Sequence, residues 1–192
     1  MKKSQAMSVQ TLTIGAVLTA LVIVLQLLGS FIRFGMFSIT LVLIPIIIGA
    51  ARCGKGMGAW LGFVFGVAVL LSGDAAAFFA FDVFGTIVTV LAKGTLCGFA
   101  AGLVYSWISK TEKYLGVLAA AVVCPVVNTG VFALGCFLFF YNDIATEWAI
   151  GQNVIGYIFL VLIGGNFLFE LGVNIVLSQA IVRLVDLAKK LK

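Results

Sequence analysis

Lys93 and Glu170 stand inside segments that otherwise read as membrane-spanning helices. A charge at the centre of a bilayer costs at least about 2.5–3.5 kcal/mol, and ionisable groups persist at that depth where they pair, face a cavity or bind something polar. Two chemistries suit this pair. One is a buried ion pair that cross-links helices. The other is a polar pocket, open to the outside, that binds a small solute. Buried ion pairs are poor stabilisers compared with apolar packing, which favours the pocket. Both hold together if a ligand parts the pair on entry.

The neighbours of the two charges extend the polar surface. Asn166, Glu170 and Asn174 recur at intervals of four, so they form one stripe along a helix. Thr86, Thr89 and Lys93 share a helical face in the same way. Asn128 follows Pro125 within another apolar run. Lys93 lies roughly 15 Å from the outer end of its segment, and Glu170 roughly 20 Å before Arg183, at 1.5 Å per helical residue. The two are therefore expected at matching depth. Polar stripes do not face lipid cheaply, so the three helices should face one another. The candidate solute-binding residues are Lys93, Glu170, Asn166, Asn128, Thr89 and Asn174.

The elements that must position them are dictated by composition. Of 192 residues, 63% are hydrophobic and only 10% charged, and the mean hydropathy is +1.25. A soluble domain carries about a quarter charged residues, so this chain is expected to be an integral membrane protein with one membrane domain over 1–192. About 20 apolar residues cross the ~30 Å hydrocarbon core. Six spans are predicted, at about 11–28, 39–51, 57–71, 83–108, 115–140 and 154–187, giving an all-α fold. The second is short and contains Pro45, and the fifth contains Pro125. The first apolar run lacks a signal-peptide cleavage pattern and reads as a span.

Charge placement orients these spans. An inside N-terminus puts Lys2, Lys3, Arg52, Lys55, Lys110, Lys113, Arg183, Lys189, Lys190 and Lys192 on the cytoplasmic side. The outside then receives Arg33 and the acids Asp74, Asp82, Asp143 and Glu147. That asymmetry follows the positive-inside rule and places both termini in the cytoplasm. It also accounts for the net charge of +5 without recourse to nucleic acid.

Enzyme chemistry finds no foothold. The chain has no histidine, and its cysteines, Cys53, Cys97, Cys124 and Cys136, are widely spaced. That argues against zinc or haem ligation, and the cysteines read as small buried residues. No metalloprotease, serine-hydrolase or Walker A pattern is present. No catalytic residue, metal or cofactor is expected, and any ATP-driven step must come from partner subunits.

Small residues at intervals of four form flat ridges that let helices approach closely. Gly54, Gly58, Gly62 and Gly66 make one such ridge, and Gly94, Gly98 and Gly102 another. Tight packing within the chain is the expected use of both. Ala16 and Ala20 share the spacing and are free to face a partner subunit.

In these features the chain resembles the substrate-binding S component of an energy-coupling factor (ECF) vitamin transporter. The resemblance covers nearly the whole length. It rests on six spans, inside termini, a basic tail, Ala16-Val-Leu-Thr-Ala20, Gly58-Ala-Trp-Leu-Gly62-Phe-Val-Phe-Gly66, and the segment from Lys93 through Gly98 and Gly102 to Tyr105. It implies a multi-pass protein of a prokaryotic plasma membrane that captures a vitamin-like solute outside and topples to release it inside. It implies partners: a transmembrane coupling (T) protein, docked at Ala16 and Ala20, and two ATPases. It implies a pocket built mainly from the fourth to sixth helices and the outer loops. Asn166-Phe-Leu-Phe-Glu170 is similar to a pattern in pantothenate-type members, and a cationic Lys93 suits a carboxylate, so pantothenate is the first candidate. The acidic outer loops do not favour steering an anion, and riboflavin, folate and pyridoxine types stay open. The rival classes are a stand-alone secondary transporter or channel using Lys93 and Glu170, and a structural membrane subunit.

Overall fold

A computed structural model describes residues 9–31, 33–34, 37–38 and 41–190. The chain forms α1 (Val9–Ser30), a short antiparallel ribbon of β1 (Arg33–Phe34) and β2 (Phe37–Ser38), α2 (Leu43–Cys53), α3 (Lys55–Ser72) and α4 (Ala76–Phe79). It continues through α5 (Val83–Ile108), α6 (Lys113–Phe139) and α7 (Tyr141–Asp143). A π-helical turn (Ile144–Trp148) leads to α8 (Val154–Tyr157), a second π-helical segment (Ile158–Gly164) and α9 (Gly165–Lys190). The last three run on as one helical span.

The all-α expectation holds apart from the ribbon after α1. Among the described residues, five helical segments are long and apolar enough to cross a membrane, among them Val154–Arg183. The expected second span differs. Its helix, α2, has 11 residues and is therefore about 16 Å long, short of a ~30 Å core. Residues 39 and 40, at the start of that expected span, lie outside the described residues. Pro45 sits in the first turn of α2, where a missing N–H costs no helical hydrogen bond.

Short as it is, α2 is the hub. Leu43, Ile46, Ile47 and Ala50 repeat at helical spacing and are fully buried, and α2 touches α1, α3, α5, α6 and α9. It joins α3 through Gly54 alone, whose φ of 91° is open to glycine at little cost. The outward faces are apolar: Leu71, Leu138, Leu160 and Val176 are each largely exposed, a surface that suits lipid rather than water.

Close packing of α3 on α5 uses both glycine ridges. A Cβ at Gly58 would fall on the Gly98 carbonyl, and one at Gly62 on the Gly94 carbonyl. The relation is mutual, since a Cβ at Gly94 or Gly98 would meet the carbonyl of Gly62 or Gly58. Two apolar clusters result. One surrounds α2 and draws on α1, α3, α5, α6 and α9. The other gathers Phe78, Cys136, Phe140, Ile144, Ile158 and Leu162 at the far end of α6.

Candidate functional site

Asn128, Asn166 and Glu170 reach one place because α6 and α9 pack side by side, and Lys93 joins them from α5. All four line a single cavity at the seam between the two apolar clusters. Glu170 is only 2% exposed and Asn128 only 5%. The Asn166 amide donates to Glu170 Oε1 at 3.2 Å, a contact that the interval of four along a helix permits. Asn128 lies beside the same carboxylate from α6.

Lys93 and Glu170 share the cavity but are not an ion pair in contact. The ammonium instead lies over two rings, with Nζ 5.2 Å from the Phe132 centroid and 5.9 Å from that of Phe65. Such cation–π contacts are worth about 0.5–2 kcal/mol, less than a charged partner at hydrogen-bond distance. Glu170 Oε2 and Asn128 Oδ1 are buried, and no protein donor reaches either.

Thr89 and Asn174 do not line the cavity. Thr89 is buried against Gly135 of α6. Residues at an interval of four are rotated about 40° from one another on a helix, and here Val90, three before Lys93, takes the lining position. Asn174 continues the stripe one turn past Glu170, where its amide donates to the Glu170 carbonyl at 2.8 Å. The stripe thus runs beyond the cavity into the packed core.

Three polar cavity residues escaped the sequence reading: Gln26, Asp74 and Thr129. Gln26 of α1 is 2% exposed and donates to Asp74 Oδ2 at 2.6 Å, with Ser72 Oγ further off at 3.4 Å. Both Gln26 and Asp74 line the cavity. The signal for Gln26 was available, since it is a lone amide in the apolar run of the first helix. Asp74 looked like one more loop acid, because only the return of the segment after α3 over the cavity brings it inward. Asp82, another of the outer acids, caps α5 instead and accepts the Phe84 N–H at 2.9 Å.

Apart from Thr129 of α6, the remaining walls are apolar, supplied among others by Val69, Phe78, Leu162 and Ile163. Phe78 stacks edge-on against Phe132 and Trp148, which ties the α4 segment to the π-helical turn across the cavity. The second π-helical segment ends just before Asn166, and π turns often mark functional sites. Regular helical reading of 154–187 gave no hint of it. The cavity measures about 80 Å³, whereas sites for drug-sized ligands run to about 300–1,000 Å³. A ligand of that size must therefore move its walls apart.

Apolar helices long enough to cross a membrane thus surround a patch of charge and amides. The family model for the ECF transporter, substrate-specific component, matches residues 10–182. The chain belongs to that family. Searches of curated proteins and of solved structures returned no match.

Proposed function

We propose that this chain captures a vitamin or vitamin-like micronutrient at the outer membrane face and passes it inward as part of an ATP-driven importer. The observation that carries the reading is a cavity lined by charged and amide side chains in a chain of this family. Lys93, Glu170, Asn166 and Asn128 bind the solute, with Gln26 and Asp74 completing the polar lining. Asn174 and Thr89 support that lining from the adjoining turns. Pantothenate is the first candidate, because Lys93 offers a cation to its carboxylate.

The energy comes from elsewhere. A transmembrane coupling protein and two ATPase subunits supply it, and the distribution of basic residues supports a cytoplasmic position for both termini beside them. Ala16 and Ala20 support docking on that partner. Both are exposed and line an open apolar groove with Leu12, Ile23 and Trp60. Trp60 donates to Thr19 Oγ1 at 3.2 Å, which holds the groove's two walls, α1 and α3, in register.

Reconstitution tests the reading. Liposomes holding this chain with its coupling protein and ATPases should accumulate solute only when ATP is supplied. Accumulation by the chain alone, driven by an ion gradient, would instead establish a secondary transporter.

A further inference from the structure

The unmet hydrogen-bonding capacity of the cavity describes its ligand. Two acceptors, Glu170 Oε2 and Asn128 Oδ1, are buried without a protein donor. They sit on neighbouring helices and line the same space. A buried acceptor left unmatched costs about 1–3 kcal/mol, so a ligand that donates here recovers that loss. Lys93 presents the opposite need. An ammonium carries three donors and no acceptor, and here Nζ lies over the ring faces of Phe132 and Phe65. A ligand that brings an anionic oxygen to Nζ replaces a weak partner with a strong one. Phe78, Phe132 and Leu162 line the same cavity and offer a ligand apolar surface rather than hydrogen-bonding groups.

Resting on the reading of this cavity as the solute site, we propose that it selects a two-ended solute. A carboxylate lies on Lys93, an N–H or O–H donor lies between Glu170 and Asn128, and an apolar stretch spans the aromatic wall. Neither end suffices alone. A solute without the carboxylate leaves Lys93 on the rings, and a solute without the donor leaves two buried acceptors unmatched. Selectivity therefore arises from the penalties on incomplete ligands as much as from attraction to the right one.

Calorimetric binding to the purified chain in detergent tests this with pairs that differ at the acid end: pantothenate against panthenol, nicotinate against nicotinamide, biotin against biotinamide. Riboflavin, pyridoxine and thiamine serve as probes without a carboxylate. At least one acid should bind, with its neutral partner at least tenfold weaker, a difference of about 1.4 kcal/mol. Lys93→Met should erase that preference, and Glu170→Gln should weaken the acid and its neutral partner alike. The wild-type pairs already decide the question if a variant fails to fold. Equal binding of acid and neutral partner overturns the two-ended assignment. So does tight binding of a probe without a carboxylate, or an acid preference that survives in Lys93→Met. In these cases the cavity still stands as a solute site. Binding of none of the probes counts against the cavity reading itself, and the inference falls with it.

Discussion

Gln26 and Asp74 join the first helix to the rim of the cavity through one short hydrogen bond. Removing a buried donor from a carboxylate costs about 1–3 kcal/mol, so Gln26→Leu should lower the thermal unfolding midpoint in detergent. Gln26→Glu should lower it further, because a second carboxylate would then face Asp74 at the same distance. The order wild type, Gln26→Leu, Gln26→Glu is the prediction. A Glu variant as stable as wild type would show that the contact carries no weight. Lys93 and Glu170 behave differently from such a pair. In the proposed reading each meets the solute, and their substitutions should register in binding more than in folding.

At the scale of elements, the pairing of α3 with α5 sets the cavity's width. Phe65 and Lys93 lie within a turn of Gly62 and Gly94 on those same helices. Gly62→Ala forces the backbones apart, and overpacking of this kind costs about 1–3 kcal/mol. Gly130 of α6 has open space around it. There Gly130→Ala should stabilise the helix by up to about 1 kcal/mol, through the better helical propensity of alanine. The same substitution thus carries opposite signs at two helical glycines, which denaturation of both variants in one detergent would check. Equal effects would mean that the close approach of α3 and α5 is not what holds them.

Across the whole molecule, the proposed solute site and the proposed docking groove involve different parts of the same first helix. Gln26 faces the cavity, while Ala16 and Ala20 face outward into the groove beside Trp60. The two activities should therefore separate by mutation. Ala20→Trp fills the groove and should abolish ATP-driven uptake in reconstituted vesicles while solute affinity in detergent stays at the wild-type value. The same holds for Ala16→Trp. Unimpaired uptake in both variants would sink the docking assignment. A cavity of about 80 Å³ adds a further demand at this scale. Solute entry must displace the aromatic wall around Phe78, since the glycine-locked α3–α5 pair has no slack to give.

Much of this protein was legible from residue type and order. An apolar chain must expose its side chains to lipid, so the long helices fell close to where hydropathy placed them. The interval of four put Asn166, Glu170 and Asn174 on one stripe, and the cost of buried charge singled out Lys93 and Glu170, which line one cavity. What periodicity could not supply was which turn of each stripe meets open space. Thr89 and Asn174 share the spacing of the cavity residues yet pack against neighbouring helices. Gln26 and Asp74, far from that stripe in sequence, complete the lining. Nor could hydropathy show that α2 is a short central hub, or that a π-helical segment precedes Asn166, because both depend on how the other helices pack around them. Sequence fixes the chemistry each residue brings and the face on which its helix carries it. Only tertiary packing decides which groups converge, and it does so here by matching glycine to carbonyl between α3 and α5 and leaving Glu170 Oε2 and Asn128 Oδ1 without a protein donor among the described residues.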